Sequence, residues 1–471
     1  MREAQVNFAA AAEPAVIIVR LSTVVRSRAA SSLAALLLGA CGPGVSADPV
    51  DPRDPAPAAG ACGLAHPAFC DSFDQASAGG RGGDLDERFW GVGRLSQLTN
   101  VSQGANNPFP VAQAAGCDGP RAVAVDGSDY FFCARPGESP ALRQAFNDGG
   151  GIILHAFHAR RPFDFAGRIG TVVFDVDGST APGAWFELWI VDEPVPAVHT
   201  SLPGMDALPR TGVGLVFQEC NPMLPTPSPG SGLKNVLFVS DHQLTRTIGL
   251  TELDESGCFS TAAQTLNRLE VRIGERAIEV RASAPGDPAG LHRVALISGL
   301  DLPLDRGYVH FETLGDNAAK FGGSADQTRV WDNLGFDGPF LPLPRAHDLP
   351  DHLEPWTGAG ATTMLWNTAY VLLPTNQQTF RVDGLDLFGA GEAFVDLSTF
   401  GLTAGGSFRL RFNQGTWREA PFPFSSDTWR AVSVPVSVAD LVTGTNTLEL
   451  ATEATSAPVL IANVDLTVAP R

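Results

Sequence analysis

The residues best able to do chemistry in this 471-residue chain fall in two short segments. In Ala184-Trp185-Phe186-Glu187-Leu188-Trp189-Ile190-Val191-Asp192-Glu193, a period of two puts Trp185, Glu187 and Trp189 on one strand face and Phe186, Leu188 and Ile190 on the other. Indole faces stack on the apolar faces of pyranose rings, and a carboxylate accepts hydrogen bonds from sugar hydroxyls, so the first face has the chemistry of a glycan platform. The same spacing also suits an aromatic pair packed under a loop, because tryptophan is usually a buried anchor. The second segment sets Tyr308, His310 and Glu312 on one face, with Lys320 in the following Gly-Asp-Asn-rich loop and then Trp331, Asp332 and Asn333. Histidine can serve as a general base, and His, Lys and Asn together can bind hydroxyls and carboxylates of an acidic sugar. A polar strand face with a loop ion pair accounts for the same residues.

Other chemistries lack support. Fifty-one Asp plus Glu against 32 Lys plus Arg give a formal charge of −19, which leaves no basic field for a phosphate backbone. Gly79-Gly80-Arg81-Gly82-Gly83 lacks the strand-loop-helix setting and Gly-Lys-Ser/Thr ending of a phosphate cradle. No Gly-x-Ser-x-Gly nucleophile elbow is present. His155 and His158, three apart on a strand, point to opposite faces and read as unrelated surface or loop positions.

The elements that must position these residues are strands. Fifty Gly and 36 Pro disfavour long helices, while 44% hydrophobic residues are enough for more than one core. Leu269, Val271 and Ile273 alternate with Arg268, Glu270 and Arg272, and Ile278, Val280 and Ala282 continue the pattern beyond Gly274-Glu275, a hairpin signal. Val172, Phe174 and Val176 alternate likewise, as do Phe408, Leu410 and Phe412. The fold class expected is all-β. One sandwich spans 62–341, a proline-rich linker spans 342–355, and a second, smaller β-sandwich spans 356–471.

The N-terminus carries an address. Arg20, Arg26 and Arg28 precede the apolar run Ala29–Ala40, too short to span a ~30 Å hydrocarbon core but suited to a signal peptide. The run ends in Leu38-Gly39-Ala40-Cys41, which resembles the bacterial lipobox and implies cleavage before Cys41 and acylation of its thiol. The apolar stretch Phe8 to Val19 has no role in such a signal, and Val25 is an alternative start. Residues 41–61, rich in Pro, Ala and Asp, are expected to extend as a tether. Beyond Cys41, Cys62, Cys70, Cys117, Cys133, Cys220 and Cys258 make an even set, as an oxidising compartment allows. Pairing each with its nearest neighbour is one of the fifteen connectivities open to six cysteines. No pair has the spacing at which two thiolates share one zinc ion.

Two family resemblances follow. Phe69-Cys70-Asp71-Ser72-Phe73-Asp74 with Leu85-Asp86-Glu87-Arg88-Phe89-Trp90 resembles the opening of concanavalin A-like jelly rolls, the fold of laminin G modules, legume lectins and family 16 glycanases. Thr328-Arg329-Val330-Trp331-Asp332-Asn333-Leu334-Gly335-Phe336-Asp337 resembles their last strand, which returns beside the first. The resemblance implies a concave glycan-binding groove and makes calcium a candidate cofactor, with Asp175, Asp177, Asp332 and Asp337 as oxygen donors. The Glu-x-Asp-x-Glu motif of family 16 is not kept: two residues after Glu187 stands Trp189, and Asp192 falls where the bulged form has its acid. Trp356 to Arg471 is similar to galactose-binding-like accessory sandwiches through Gly444-Thr445-Asn446-Thr447-Leu448-Glu449-Leu450 and Asn463-Val464-Asp465-Leu466.

The function expected is that of a lipid-anchored bacterial envelope protein, periplasmic or surface-exposed, which binds a polysaccharide or cell-surface glycan. A glycoside hydrolase or polysaccharide lyase with non-standard catalytic residues is the alternative, and a structural envelope protein with no ligand is a third.

Overall fold

A computed structural model describes residues 54–74, 85–86, 88–98, 131–134, 141–147, 152–177, 185–194, 207–219, 230–249, 259–260, 266–284, 287–316, 326–349, 365–366, 370–372, 377–401, 408–420, 429–452 and 459–470. Cys41, Cys117, Cys220, Cys258 and Lys320 lie outside them, as do the signal segment and residues 41–53. Of Cys133, Asp177 and Trp185 only the backbone is described. Among these residues the helical turns are the three-residue 3-10 turns Ala61–Gly63 and Val438–Asp440; the rest of the regular structure is strand. The expectation of an all-β chain, a jelly-roll sandwich followed by a smaller sandwich, is met.

The jelly roll has two sheets. The larger runs, edge to edge, Gln243–Gly249, Gly230–Ser240, Thr211–Glu219, Trp185–Val191, Arg306–Asp316, Ile152–Ala159, Trp90–Leu98 and Leu365–Trp366. The smaller runs Asp287–Ser298, Ala277–Ala284, Leu266–Gly274, Gly170–Asp177, Asp326–Asp337, Leu142–Asn147 and Phe131–Ala134, with Pro67–Asp71 also paired to Asp326–Asp337. The first strand does lie beside the last, with Phe69 opposite Phe336 and Cys70 opposite Gly335. Period-two alternation explains the layering. Val172, Phe174, Val176, Leu269, Val271 and Ile273 face inward from the smaller sheet, and Phe186, Leu188, Ile190, Val309 and Phe311 face them from the larger. The predicted hairpin closes through Glu275 and Arg276, with Gly274 opposite Ala277. Cys62 and Cys70 form a disulfide, clasping the first turn to the first strand.

A second core is built from Phe380, Val382, Val395, Leu397, Phe408, Leu410, Leu448, Leu450, Ile461, Leu466 and their neighbours. One of its sheets runs Arg345–Asp348, Val459–Pro470, Ala390–Gly401, Trp429–Val436 and Ala207–Leu208, with Tyr370–Leu372 also on Val459–Pro470. The other runs Gln377–Leu385, Gly444–Thr452, Phe408–Phe412 and Arg418–Glu419. The stretch read as a linker therefore carries an edge strand, Arg345–Asp348. The tether read over 41–61 is docked from Asp54 onward: buried Asp54 pairs with Arg161, which packs on Phe340, and the Leu343 N–H donates to Asp54.

The two sandwiches are knitted together. Ala207–Leu208, leaving the jelly roll, pairs in parallel with Trp429–Arg430, while Leu365–Trp366 pairs with Gln97–Leu98. Val459 to Val468 is buried on both of its faces: Val459, Ile461, Val464, Leu466 and Val468 enter the second core, and Asn463, Asp465 and Thr467 are buried outside it. The Asp465 carboxylate lies 3.5 Å from the Arg160 guanidinium of the jelly roll.

Candidate functional site

The two segments singled out in the sequence meet on the outer face of the larger sheet. Strands Trp185–Val191 and Arg306–Asp316 are antiparallel neighbours, with Val191 opposite Tyr308, Trp189 opposite His310 and Glu187 opposite Glu312. Because Phe186, Leu188 and Ile190 point into the core, Glu187 and Trp189 point away from it, and His310 and Glu312 share their face. The next strand adds His158 opposite His310; the two imidazoles stack with centroids 4.6 Å apart. His158 is thus neither a surface nor a loop residue, as the sequence suggested, but a buried member of the band. No local spacing signals this, since its partner lies on a strand some 150 residues away.

Two glycines make room for the rings. A Cβ on Gly214 would meet the Trp189 indole at 2.5 Å, and one on Gly91 would collide with the His158 imidazole. Each ring therefore lies down on the strand beside it. The row reads Gly214, Trp189, His310, His158, Gly91 across five strands, with Glu187 and Glu312 side by side in the row adjoining it.

Burial decides how these groups can act. Trp189 and His310 are 0% exposed, Glu312 is 2% and Glu187 is 4%. Trp189 is therefore not the open stacking platform the sequence suggested. Its indole packs with Val191, Leu208, Val216, Leu237, Val239 and Tyr308, and its Nε1–H donates to Glu187 Oε2 at 2.6 Å, fixing that carboxyl. Directly opposed residues on paired strands have Cβ atoms about 4.5–5.5 Å apart, so the two glutamate side chains leave the sheet as neighbours. Two carboxyls and two imidazoles are groups that bind hydroxyls and exchange protons, but here the imidazoles are stacked on each other and all four side chains are buried.

The other candidates fall elsewhere. Trp331 points between the sheets and is 0% exposed, in ring contact with Phe157, Phe174, Phe186 and Phe311, so it cannot touch a glycan. Asn333 is on the smaller sheet, in a left-handed bulge with φ 48°, and its amide donates to Asp175 at 2.8 Å. Among the calcium candidates, Asp175 is also held by Arg268 and Asp337 by Arg168. Burial raises Asp332 to about 7, with Asp175, Asp74 and Asp71 adding to the effect. Among the described residues no group of three or more His, Cys, Asp or Glu is arranged to hold a metal.

Tyr308 marks the end of the band that abuts the second sandwich. Its hydroxyl is pushed well above the usual phenol value by burial, and Asp396 and Glu392 of the second sandwich reinforce the shift. At the same seam burial raises Glu193 to about 8 although Arg210 lies 3.2 Å away, because that guanidinium also serves Asp192. A carboxyl raised on folding binds protons that the unfolded chain has released, so its contribution is full below about 4.5 and is lost as pH rises through about 8. Buried His242 and His347 are shifted down and act oppositely, but only below their ordinary value of 6.5. Between pH 6.5 and 8 stability is therefore expected to fall by about 1–2 kcal/mol, chiefly through Glu193, with Asp332, raised to about 7, adding to it. Urea unfolding at the two pH values checks this, and Glu193→Gln is expected to remove most of the slope.

No family model matches the chain, and no curated protein sequence does. The jelly roll is similar to a family 16 endo-glucanase from Bacteroides ovatus solved in complex with G4G3G-2F-DNP, at 10% identity, 57% of this chain, 99% of that one and a TM-score of 0.32. A β-1,3-1,4-glucanase derived from a mouse hindgut metagenome gives 10% identity, 57%, 98% and 0.30. The exoplasmic/lumenal domain of VIP36, in its Ca2+/Man3GlcNAc-bound form, gives 14%, 53%, 91% and 0.31. Likenesses this slight say nothing of what this chain binds.

Proposed function

We propose that this protein is an envelope protein, anchored through an acylated Cys41, that recognises a glycan on the outer face of the larger jelly-roll sheet. The observation that carries the reading is the meeting of Glu187, Glu312, Trp189, His310 and His158 in adjoining rows of one sheet face. Carboxyls and imidazoles gathered on one sheet face are a constellation able to hold sugar hydroxyls, and this supports the reading. The seam with the second sandwich closes the Tyr308 end, and at the other end Glu312 and Glu187 are 2% and 4% exposed, so a ligand meets the edge of a largely buried band. Anchoring rests on Leu38-Gly39-Ala40-Cys41 and the basic residues before it.

The test is a glycan array probed with the full chain, beside its Glu187→Gln and Glu312→Gln variants. Retention on at least one glycan, weakened about tenfold or more in each variant, is the expected result, since hydrogen bonds to charged groups contribute about 1.5–3 kcal/mol each. Reducing ends released from a retained glycan would make the opposed pair catalytic and the protein a glycoside hydrolase. The burial of Trp189 and His310 favours a second reading, a structural envelope protein, and retention on no glycan would overturn ours.

A further inference from the structure

One end of the second sandwich presents apolar side chains to solvent. Phe388, in the connection from Gln377–Leu385 to Ala390–Gly401, is 78% exposed, and Val442, just before Gly444–Thr452, is 51% exposed. Leu385 stands opposite Gly444, so the two connections are neighbours; half-buried Leu387 and Val438 link them to the core, and half-buried Pro470 stands opposite Ala390. The backbone under both exposed residues is fixed. The Arg345 guanidinium donates to the Asp386 carbonyl at 2.8 Å and to the Phe388 carbonyl, and it pairs with the Asp386 carboxylate at 2.9 Å. That carboxylate also accepts the Phe388 N–H at 2.9 Å. Fully buried Asn446 accepts the Val442 N–H at 2.8 Å and donates to the Val442 carbonyl at 2.7 Å. Apolar side chains held in place this way lose little entropy on entering an apolar phase.

Charge and place identify what covers this tip. The chain carries −19, yet Asp383, Asp386 and Asp440 at this end are each paired, with Arg381, Arg345 and Arg418. Three cations balance three anions, so Phe388 and Val442 emerge from a rim that is locally neutral. Self-association through the tip would instead bring two strongly acidic chains together. Arg345, which grips the Phe388 connection, follows Leu343 by two residues, and the Leu343 N–H donates to Asp54, the first described residue. Residues 42–53 separate Asp54 from Cys41, a reach of at most about 45 Å when fully extended. Acyl chains on Cys41 therefore keep a bilayer within reach of this end of the second sandwich. Phe and Val have no polar tip to satisfy, which suits them to lipid.

We infer that the Phe388–Val442 tip enters the headgroup layer of the bilayer to which Cys41 ties the chain, and so sets how the second sandwich stands on that surface; this rests on the acylation of Cys41 proposed above. The test uses the full chain, produced in a bacterial host and reconstituted into phosphatidylcholine vesicles with or without bromine on the acyl chains, which quenches an indole that touches it. Wild type, Phe388→Trp and Leu244→Trp are compared. Leu244 is 42% exposed but lies by the other end of the second sandwich: His242 is 3.4 Å from the Leu208 carbonyl, Leu208 is opposite Arg430, and Arg430 is opposite Thr399, about 30 Å along its strand from Ala390. Interfacial side chains sit about 5–10 Å deep, so the emission that Phe388→Trp adds to wild type is expected to fall about twofold or more in brominated vesicles, and that of Leu244→Trp to stay unchanged. Val442→Trp is expected to behave like Phe388→Trp. No quenching of either tip variant, or equal quenching of Leu244→Trp, overturns the tip and leaves the anchor standing. Mass spectrometry separates the two: a purified chain with no acyl mass on Cys41 overturns the anchor, and the tip with it.

Discussion

Trp331→Ala is expected to destabilise the jelly roll by about 3–5 kcal/mol, the range for emptying a large aromatic site in a packed core. The indole contacts Phe157 at 5.6 Å, Phe186 and Phe311 at 5.7 Å and Phe174 at 6.1 Å, so its loss strips ring contacts from both sheets at once. Those four phenylalanines come from four different strands, and the resulting cavity cannot collapse without moving all of them. Urea denaturation followed by tryptophan fluorescence and by far-UV circular dichroism measures the change. A cost below about 1 kcal/mol would mean that the ring does not sit where the sheets close.

Arg160→Ala is expected to cost a similar amount, about 3–5 kcal/mol, but at the seam. The Arg160 side chain is 2% exposed, donates through Nε to the Trp90 carbonyl at 3.0 Å and approaches fully buried Asp465. It also offsets part of the burial that raises Asp396, on the same sheet, to about 6. Removing the cation leaves carboxylates in a dry interface, which costs far more than the ion pair itself contributes. Because each sandwich keeps its own core, calorimetry is expected to resolve one wild-type transition into two. Arg160→Met with Asp465→Leu, which removes both charges and keeps the volume, is expected to recover most of the loss; a double variant as weak as Arg160→Ala would refute the electrostatic account.

How much of this was legible beforehand depended on the distance between partners. Leu269, Val271 and Ile273 declare their inward face by alternation alone, and the hairpin that follows needs no more than its turn. The opposition of Glu187 and Glu312 was not legible. It requires that two strands 125 residues apart become neighbours, a property of sheet order and not of either segment. Trp331 misled because parity across Asp332 to Gly335 is broken by a bulge, so the aromatic and the amide after it face different surroundings. Glycan platforms and buried anchors share one spacing, and only the small residues beside Trp189 and His158, Gly214 and Gly91, show that these rings lie flat against the sheet.

The docking of Asp54 has a mechanical consequence. Its carboxylate is gripped by Arg161 and by the Leu343 backbone, at the junction where one half of the molecule passes into the other. A pull applied to the chain at Asp54 therefore falls on one ion pair and one backbone hydrogen bond that tie it to this junction.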